Sequence, residues 1–154
     1  MKKIILVLMV LLASCQSQES KINESITKEF KKIVNDPSKF ELVSVEIIGE
    51  ETMGDLKLGG DNEATLLYYK FNSENKDDSS DTFFINLVSD KLETNKKMYA
   101  FVKKRINDDE YVALYKLTVI VRATNAFGAL IMKEFRVMLM NDEDFTVESI
   151  FLLG

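Results

Sequence analysis

The chain contains one cysteine and no histidine, and this restricts the nucleophilic chemistry open to its side chains. Cys15 lies in the stretch LLASCQSQ, at the point where an apolar run ends. A disulfide within one chain is excluded, because there is no second thiol. Catalysis by Cys15 is disfavoured, because no histidine is present to activate it. A thiolate is still a good nucleophile for thioether formation.

The residues before Cys15 have the order of a secretory signal. Two lysines follow Met1, nine apolar residues run from Ile4 to Leu12, and the small residues Ala13 and Ser14 come next. This order is typical of a cleaved signal peptide. The apolar run is shorter than the about 20 residues that a membrane-spanning helix needs. The residues after Cys15 are polar and contain no basic stop-transfer cluster.

The tetrapeptide Leu12-Ala13-Ser14-Cys15 resembles the lipobox of bacterial lipoprotein precursors. The resemblance implies cleavage before Cys15, transfer of a diacylglycerol to its sulfur, and a lipid anchor of acyl chains such as palmitate. Several chains hold firmly, because each buried CH₂ contributes about 0.8 kcal/mol. We therefore predict a signal peptide at 1–14, a lipidated tether at 15–20 and a single domain at 21–154. A plain secretory signal with an adjacent cysteine is the alternative.

The predicted location is the bacterial cell envelope, in its outer membrane. Gln16 follows the cysteine, whereas an aspartate there would resemble the inner-membrane retention signal of enteric bacteria. The full chain has a formal charge of −5, and loss of Lys2 and Lys3 makes it −5 − 2 = −7. This negative charge argues against binding to nucleic acid and against a broad electrostatic contact with anionic lipid headgroups. Membrane association is expected to come from the lipid on Cys15.

No motif of the chain indicates a cofactor or a metal site. Without histidine there is no histidine-based triad and no HExxH zinc site, and the phosphate-binding glycine motifs are absent from the sequence. Three acidic patches offer the oxygen ligands that calcium prefers, but none has the spacing of an EF-hand loop. They are Asp77, Asp78 and Asp81; Asp108, Asp109 and Glu110; Asp142, Glu143 and Asp144. All lie where turns are expected, so we interpret them as solvated.

The helices are predicted from apolar residues at helical spacing. Ile22, Ile26 and Phe30 form one face of a first helix, which should end at Asn35-Asp36-Pro37. The apolar run 64–71 fits a strand or a helix, and periodicity alone does not separate the two. Two further helices are predicted, with Asp81 and Thr94 as N-caps and a break near 93–95. Residues 49–62 are predicted to form a loop, with a short extended piece at 56–58.

The strands are predicted from alternation. Residues 40–48 form a half-buried strand with Val43, Val45 and Ile47 on one face. In the last third of the chain, three such segments with short connections predict an antiparallel meander, the first of them carrying Leu117 and Val119 on its apolar face. A single apolar face per strand requires helices on that side. The predicted class is α+β: an N-terminal amphipathic helix and middle helices packed on one face of a mainly antiparallel sheet.

Two stretches, NDPSKFELVSVEI and VRATNAFGALIMKEFRVML, resemble a recurrent group of small secreted bacterial proteins of unknown function, many of them lipoproteins. That group carries an Arg/Lys-Ala-x-Asn-x-Phe-Gly turn between two long C-terminal strands. The residues that match the turn here are Arg122, Ala123, Asn125, Phe127 and Gly128. The group supplies no catalytic residues, so the resemblance implies fold and location alone.

The matched turn has a structural and a functional interpretation. Asn125 tolerates left-handed backbone and can hydrogen-bond locally, Gly128 supplies a positive φ or a bulge, and Phe127 caps the core. Alternatively, Arg122, Asn125, Phe127 and Gly128 form an exposed recognition tip. Neither interpretation gives these residues a catalytic role.

No catalytic set stands out, so a binding or accessory module that is not an enzyme is the leading hypothesis. Its partners would be the membrane, through the lipid, and an envelope protein or glycan. An envelope-anchored inhibitor or protective protein is one alternative, because an acidic domain suits a basic target. A small hydrolase or lyase that uses carboxylates or tyrosine is the other, because many α+β folds carry pockets.

Overall fold

The computed structural model of the protein describes residues 2–74, 88 and 90–153, and for residues 2–17 it describes the backbone alone. Helices in this part of the chain are α1 (Lys2–Ile33), α2 (Met53–Leu56), α3 (Asn62–Glu74) and α4 (Lys91–Arg105). Strands are β1 (Glu41–Thr52), β2 (Val112–Thr124), β3 (Leu130–Met140) and β4 (Val147–Leu153). Short 3₁₀ helices occupy Pro37–Lys39 and Leu58–Gly60.

The four strands form one antiparallel sheet in the order β1-β2-β3-β4. The predicted α+β class and the predicted β2-β3-β4 meander are confirmed. β1 comes from the first half of the chain and adds to the free edge of β2, so it is an edge strand.

Among the described residues, no helix is both long and apolar enough to cross a membrane.

Helix α1 covers the apolar face of the sheet. Ile22, Ile26 and Phe30 are buried, at 4%, 0% and 1% exposure, against the inward-facing side chains of β2, β3 and β4. The ring of Phe30 meets the ring of Phe135 edge-on at 5.0 Å between centroids. The apolar residues whose helical spacing predicted this helix are the residues that it buries against the sheet. The helix ends at Ile33, before the proline turn.

The run 64–71, which the sequence left open, is helical and belongs to α3. Helix α4 is continuous through residues 91–105, so the predicted break near 93–95 is wrong. Its N-cap is Asp90, whose side chain accepts a hydrogen bond from Glu93 N at 3.0 Å. Thr94 lies inside the helix and is buried, so its predicted role as N-cap is also wrong. The predicted N-cap at Asp81 lies outside the described residues.

Most of the segment 49–62, which was predicted to be a loop, forms strand or helix, so that prediction is largely wrong. β1 continues to Thr52, which caps the short helix α2 by a reciprocal pair of hydrogen bonds with Asp55. Met53 then reaches a second buried cluster with Met98, Val102 and Met140. This cluster attaches α2 and α4 to the end of the sheet where β2 begins.

The predicted apolar face of β1 is observed only in part, since Val43 and Ile47 are exposed and Leu42, predicted on the opposite face, packs against the core. Register shifts on β1 fall between Leu42 and Ser44 and between Ile47 and Gly49. The first shift places Leu42 against the core cluster and leaves Val43 42% exposed. A bulge inserts one residue and reverses the alternation beyond it, which the sequence pattern alone does not reveal.

Candidate functional site

The β2–β3 turn is closed by Asn125. Its backbone N–H donates to the Ala129 carbonyl at 2.9 Å, and its carbonyl accepts from Gly128 N at 3.0 Å. Its side-chain Oδ1 accepts from the backbone N–H groups of Phe127 and Ala129, each at 3.0 Å. An asparagine at the start of a turn is suited to this, because its amide oxygen reaches backbone donors two and four residues on. The turn therefore has a defined conformation.

Gly128 supplies the left-handed backbone that the turn requires, with φ at 80°. This prediction is confirmed. Of the two roles predicted for Asn125, local hydrogen bonding by its side chain is confirmed and a left-handed backbone is not, because its φ is not positive. A Cβ on Gly128 would meet no atom within 4 Å, so backbone strain is what disfavours another residue there.

Phe127 projects into solvent from the apex of the turn and is 96% exposed. The expectation that it caps the core is wrong. Leu130 and Met132 follow on one face of β3 and are 57% and 58% exposed. We call Phe127, Leu130 and Met132 the tip patch. Exposed apolar side chains concentrated at one place on a domain commonly mark an interaction surface.

Arg122 lies on β2 beside the tip patch. In the sheet register it stands between Glu41 of β1 and Met132 of β3. Its Nη1 is 2.7 Å from Glu41 Oε2, and its Nη2 is 4.0 Å from Met132 Sδ. Both charged side chains are exposed, at 41% and 57%, so the pair contributes only about 0–1 kcal/mol to stability. The ion pair holds the guanidinium alongside Met132.

Of the four predicted recognition residues, Asn125, Phe127 and Gly128 share one turn, and Arg122 lies on the adjoining strand. Leu130 and Met132 were missed by the sequence reasoning. Their signal was available, because Ile131 alternates with them and faces the core side, which leaves two large apolar residues on the outward face.

A separate cleft of about 540 Å³ lies between α1, the start of α4 and residues 143–147. Its lining mixes cations with carboxylates: Lys21, Lys28, Lys32 and Lys97 with Glu24, Glu29, Asp90, Glu93, Glu143 and Asp144. The Lys32 Nζ–Glu29 Oε2 distance is 2.7 Å. Four cations and six carboxylates are interspersed around the cleft, which leaves a formal excess of 6 − 4 = 2 negative charges. Its volume is in the range of small-molecule pockets.

Tyr69 of α3 is the tyrosine most altered by its surroundings. Burial raises its pKa to about 12, and the nearby Tyr68, Glu148 and Glu51 add to the rise. A phenol with this pKa stays protonated at neutral pH and does not act as a base. On the same helix, Tyr68 and Phe71 are 50% and 64% exposed.

The described residues bring no three acidic or cysteine side chains together in an arrangement that would hold a metal ion. The patch at Asp77, Asp78 and Asp81 lies outside them. In the patch at 142–144, Asp142 caps its own loop by accepting from Thr146 N at 2.8 Å. In the patch at 108–110, Asp109 forms a salt bridge with Lys57.

Cys15 lies within the span of α1, in the part for which only the backbone is described. Its lipidation, and the boundaries at 1–14 and 15–20, therefore stay predictions. The described side chains begin at Gln18, whose Nε2 donates to the Tyr115 hydroxyl at 3.5 Å. This contact fixes the end of the domain at which the tether would join.

The chain was compared with protein families, with curated proteins and with solved structures, and no match was found in any of the three. The resemblance to lipoprotein precursors and to small secreted bacterial proteins therefore stays a prediction.

Proposed function

We propose that this protein is a lipid-anchored binding module of the bacterial envelope that contacts a partner protein through the tip patch. Its anchor is the diacylglycerol thioether on Cys15, as the lipobox resemblance implies. Its location is the outer membrane, on the ground that Gln16 occupies the position after the cysteine. Its recognition residues are Phe127, Leu130 and Met132.

The exposure of Phe127 is the observation that carries this proposal. An aromatic ring that is 96% exposed gains nothing from folding of its own chain, since it remains in water. The turn beneath it is fixed by four hydrogen bonds centred on Asn125. A ring presented on an ordered support loses little conformational entropy on binding, which is the property of an interface anchor.

The position of the tip relative to the predicted anchor supports a partner away from the membrane surface. Helix α1 runs alongside β2 in the same direction: Gln18 contacts Tyr115, and Asn35 Nδ2 reaches the Thr124 carbonyl at 3.5 Å. The nine strand steps from Tyr115 to Thr124 span about 30 Å. Gln18 follows Cys15 by three residues, so the tip lies at the opposite end of the domain from the attachment point.

Replacement of the lipidated residue tests the anchor. The Cys15→Ser protein should lose incorporation of labelled fatty acid and leave the membrane fraction, whereas Ser17→Ala should keep both. Density-gradient separation of the two bacterial membranes checks the predicted outer-membrane location. Continued fatty-acid labelling and membrane retention of Cys15→Ser would contradict the anchor and leave the tip to be tested separately.

A further inference from the structure

The outer edge of β1 offers backbone groups for strand addition. β1 pairs with β2 from Glu41 to Thr52, and no described strand pairs with its other edge. At 12 residues it is longer than the about 5–6 that are usual for a strand. A long edge strand presents a row of unpaired N–H and C=O groups to solvent. The bulges at Val43 and Ile48 leave a regular stretch at 44–47 between them.

A groove of about 760 Å³ runs beside this edge, between β1 and the start of the described side chains of α1. Its apolar lining consists of Ile22, Leu42, Val43, Val45 and Ile47. Val43 and Ile47 are 42% and 48% exposed, so a large part of their surface stays in water. Unpaired backbone and uncovered apolar side chains therefore lie next to each other, as in sites that bind an extended peptide.

The charge of this edge selects the partner. Glu19 and Glu46 line the groove, Glu50 follows on β1, and the groove lining contains no lysine or arginine. Two other glutamates of β1 are neutralised, since Glu41 pairs with Arg122 and Glu51 with Lys116, both at 2.7 Å. Glu19, Glu46 and Glu50 form no salt bridge with any side chain that the structure describes. The edge therefore carries a net negative charge.

We propose that the outer edge of β1, together with the α1–β1 groove, binds an extended basic segment of a partner protein as a fifth strand. Pairing over 44–47 supplies the backbone hydrogen bonds, and apolar side chains at alternate positions enter the groove beside Val45 and Ile47. The lysine or arginine side chains between them point to the opposite face of the sheet, where Glu46 lies, and Glu19 and Glu50 add to the negative charge of the edge. A second copy of this chain fits poorly, because its own Glu19, Glu46 and Glu50 would face these carboxylates. The short regular stretch favours a transient interaction.

The test uses the full-length chain in detergent micelles and three synthetic peptides, followed by titration calorimetry. The first alternates valine with lysine, the second alternates valine with glutamate, and the third is the lysine peptide with N-methyl groups on alternate residues. The lysine peptide should bind, and the other two should bind at least about tenfold more weakly, because one has the wrong charge and one lacks the strand-pairing donors. Hydrogen exchange at 42–47 should slow when the lysine peptide is bound.

A charge reversal places the site on β1. Glu46→Lys should weaken binding of the lysine peptide about tenfold or more. Glu63→Lys, an exposed residue of α3 with the same change in net charge, should alter it less than about twofold. Circular dichroism of both variants shows that each is folded. The proposal is independent of the tip patch, so Phe127→Ser should bind the lysine peptide as the wild type does.

Several results would overturn this proposal. They are absence of binding by the lysine peptide, equal binding by its N-methylated form, or equal loss in the two charge-reversed variants. Concentration-dependent dimers in which 42–47 are already protected from exchange would place a second copy on the edge and would equally contradict a basic partner.

Discussion

Asn125 and Ala129 are joined by a reciprocal pair of hydrogen bonds across the base of the β2–β3 turn. The Asn125 N–H donates to the Ala129 carbonyl at 2.9 Å, and the Ala129 N–H donates to Asn125 Oδ1 at 3.0 Å. One residue therefore contributes both a backbone donor and a side-chain acceptor to the same partner. This arrangement holds Phe127 at the apex and away from the protein.

Removal of the Asn125 amide should destabilise the protein and loosen the turn. Asn125→Ala leaves the N–H groups of Phe127 and Ala129 without their side-chain acceptor, and we expect a loss of about 1 kcal/mol in the free energy of unfolding. Asn125→Asp keeps the acceptor oxygen and serves as the control. Urea unfolding measures both. Equal stability of the wild type and Asn125→Ala would contradict the role given to this side chain.

The left-handed backbone at position 128 should resist any residue with a Cβ. Gly128→Ala is expected to cost about 1 kcal/mol, because φ is 80° there and no compensating contact forms. Gly49→Ala is the matched control. Its φ is not positive, and its new Cβ would lie 3.7 Å from the nearest atom of Lys116, an ordinary contact. Thermal unfolding compares the two, and a Gly49→Ala variant as destabilised as Gly128→Ala would refute the strain argument.

The packing of α1 on the sheet should dominate stability. Phe30→Ala removes a buried ring that contacts Phe40 and Phe135, with centroids at 5.9 and 5.0 Å, so we expect a loss of about 3–5 kcal/mol. Lys28→Ala, on the exposed side of the same helix, should change stability by less than about 0.5 kcal/mol. Chemical denaturation gives both values. Similar losses in the two variants would mean that α1 does not pack as described.

The raised pKa of Tyr69 predicts a loss of stability at alkaline pH. The unfolded chain releases the phenolic proton near pH 10 and the folded chain near pH 12, so the unfolded state binds fewer protons between these values. The contribution is complete below pH 10 and is lost as pH rises toward 12. Tyr69→Phe should flatten this decline in unfolding experiments from pH 9 to 12, whereas Tyr99→Phe should retain it. An unchanged slope in Tyr69→Phe would contradict the burial argument.

The regular helices and strands could be predicted from sequence, because burial of one face of an element requires apolar residues at a fixed spacing along the chain. Ile22, Ile26 and Phe30 recur at helical spacing and all are buried, and Leu117 and Val119 alternate and both lie in the core. The start of α4 was not predictable, since Asp90 and Thr94 are both good caps and only tertiary packing decides between them. The shift at Val43 depends on the register with β2, which is a property of two strands.

The candidate site was predictable in part. The turn residues Asn125 and Gly128 have local conformational roles, and these can be inferred from their types. The orientation of Phe127 cannot be inferred from its residue type. An aromatic residue at a turn either packs on the core or points into solvent, and the conformation of the turn decides which. Leu130 and Met132 were not predicted, although their alternation with Ile131 places them on the outward face of β3.

The most direct test of the central claim is site-specific photocrosslinking from position 127 in intact cells. A benzophenone amino acid at Phe127 of the membrane-anchored protein should yield one discrete protein adduct, which weakens when Leu130 and Met132 are both changed to serine. The same amino acid at Glu63, which is exposed on α3, should not yield that adduct. If position 127 gives no adduct, or gives the same adducts as position 63, the tip patch is not a recognition surface.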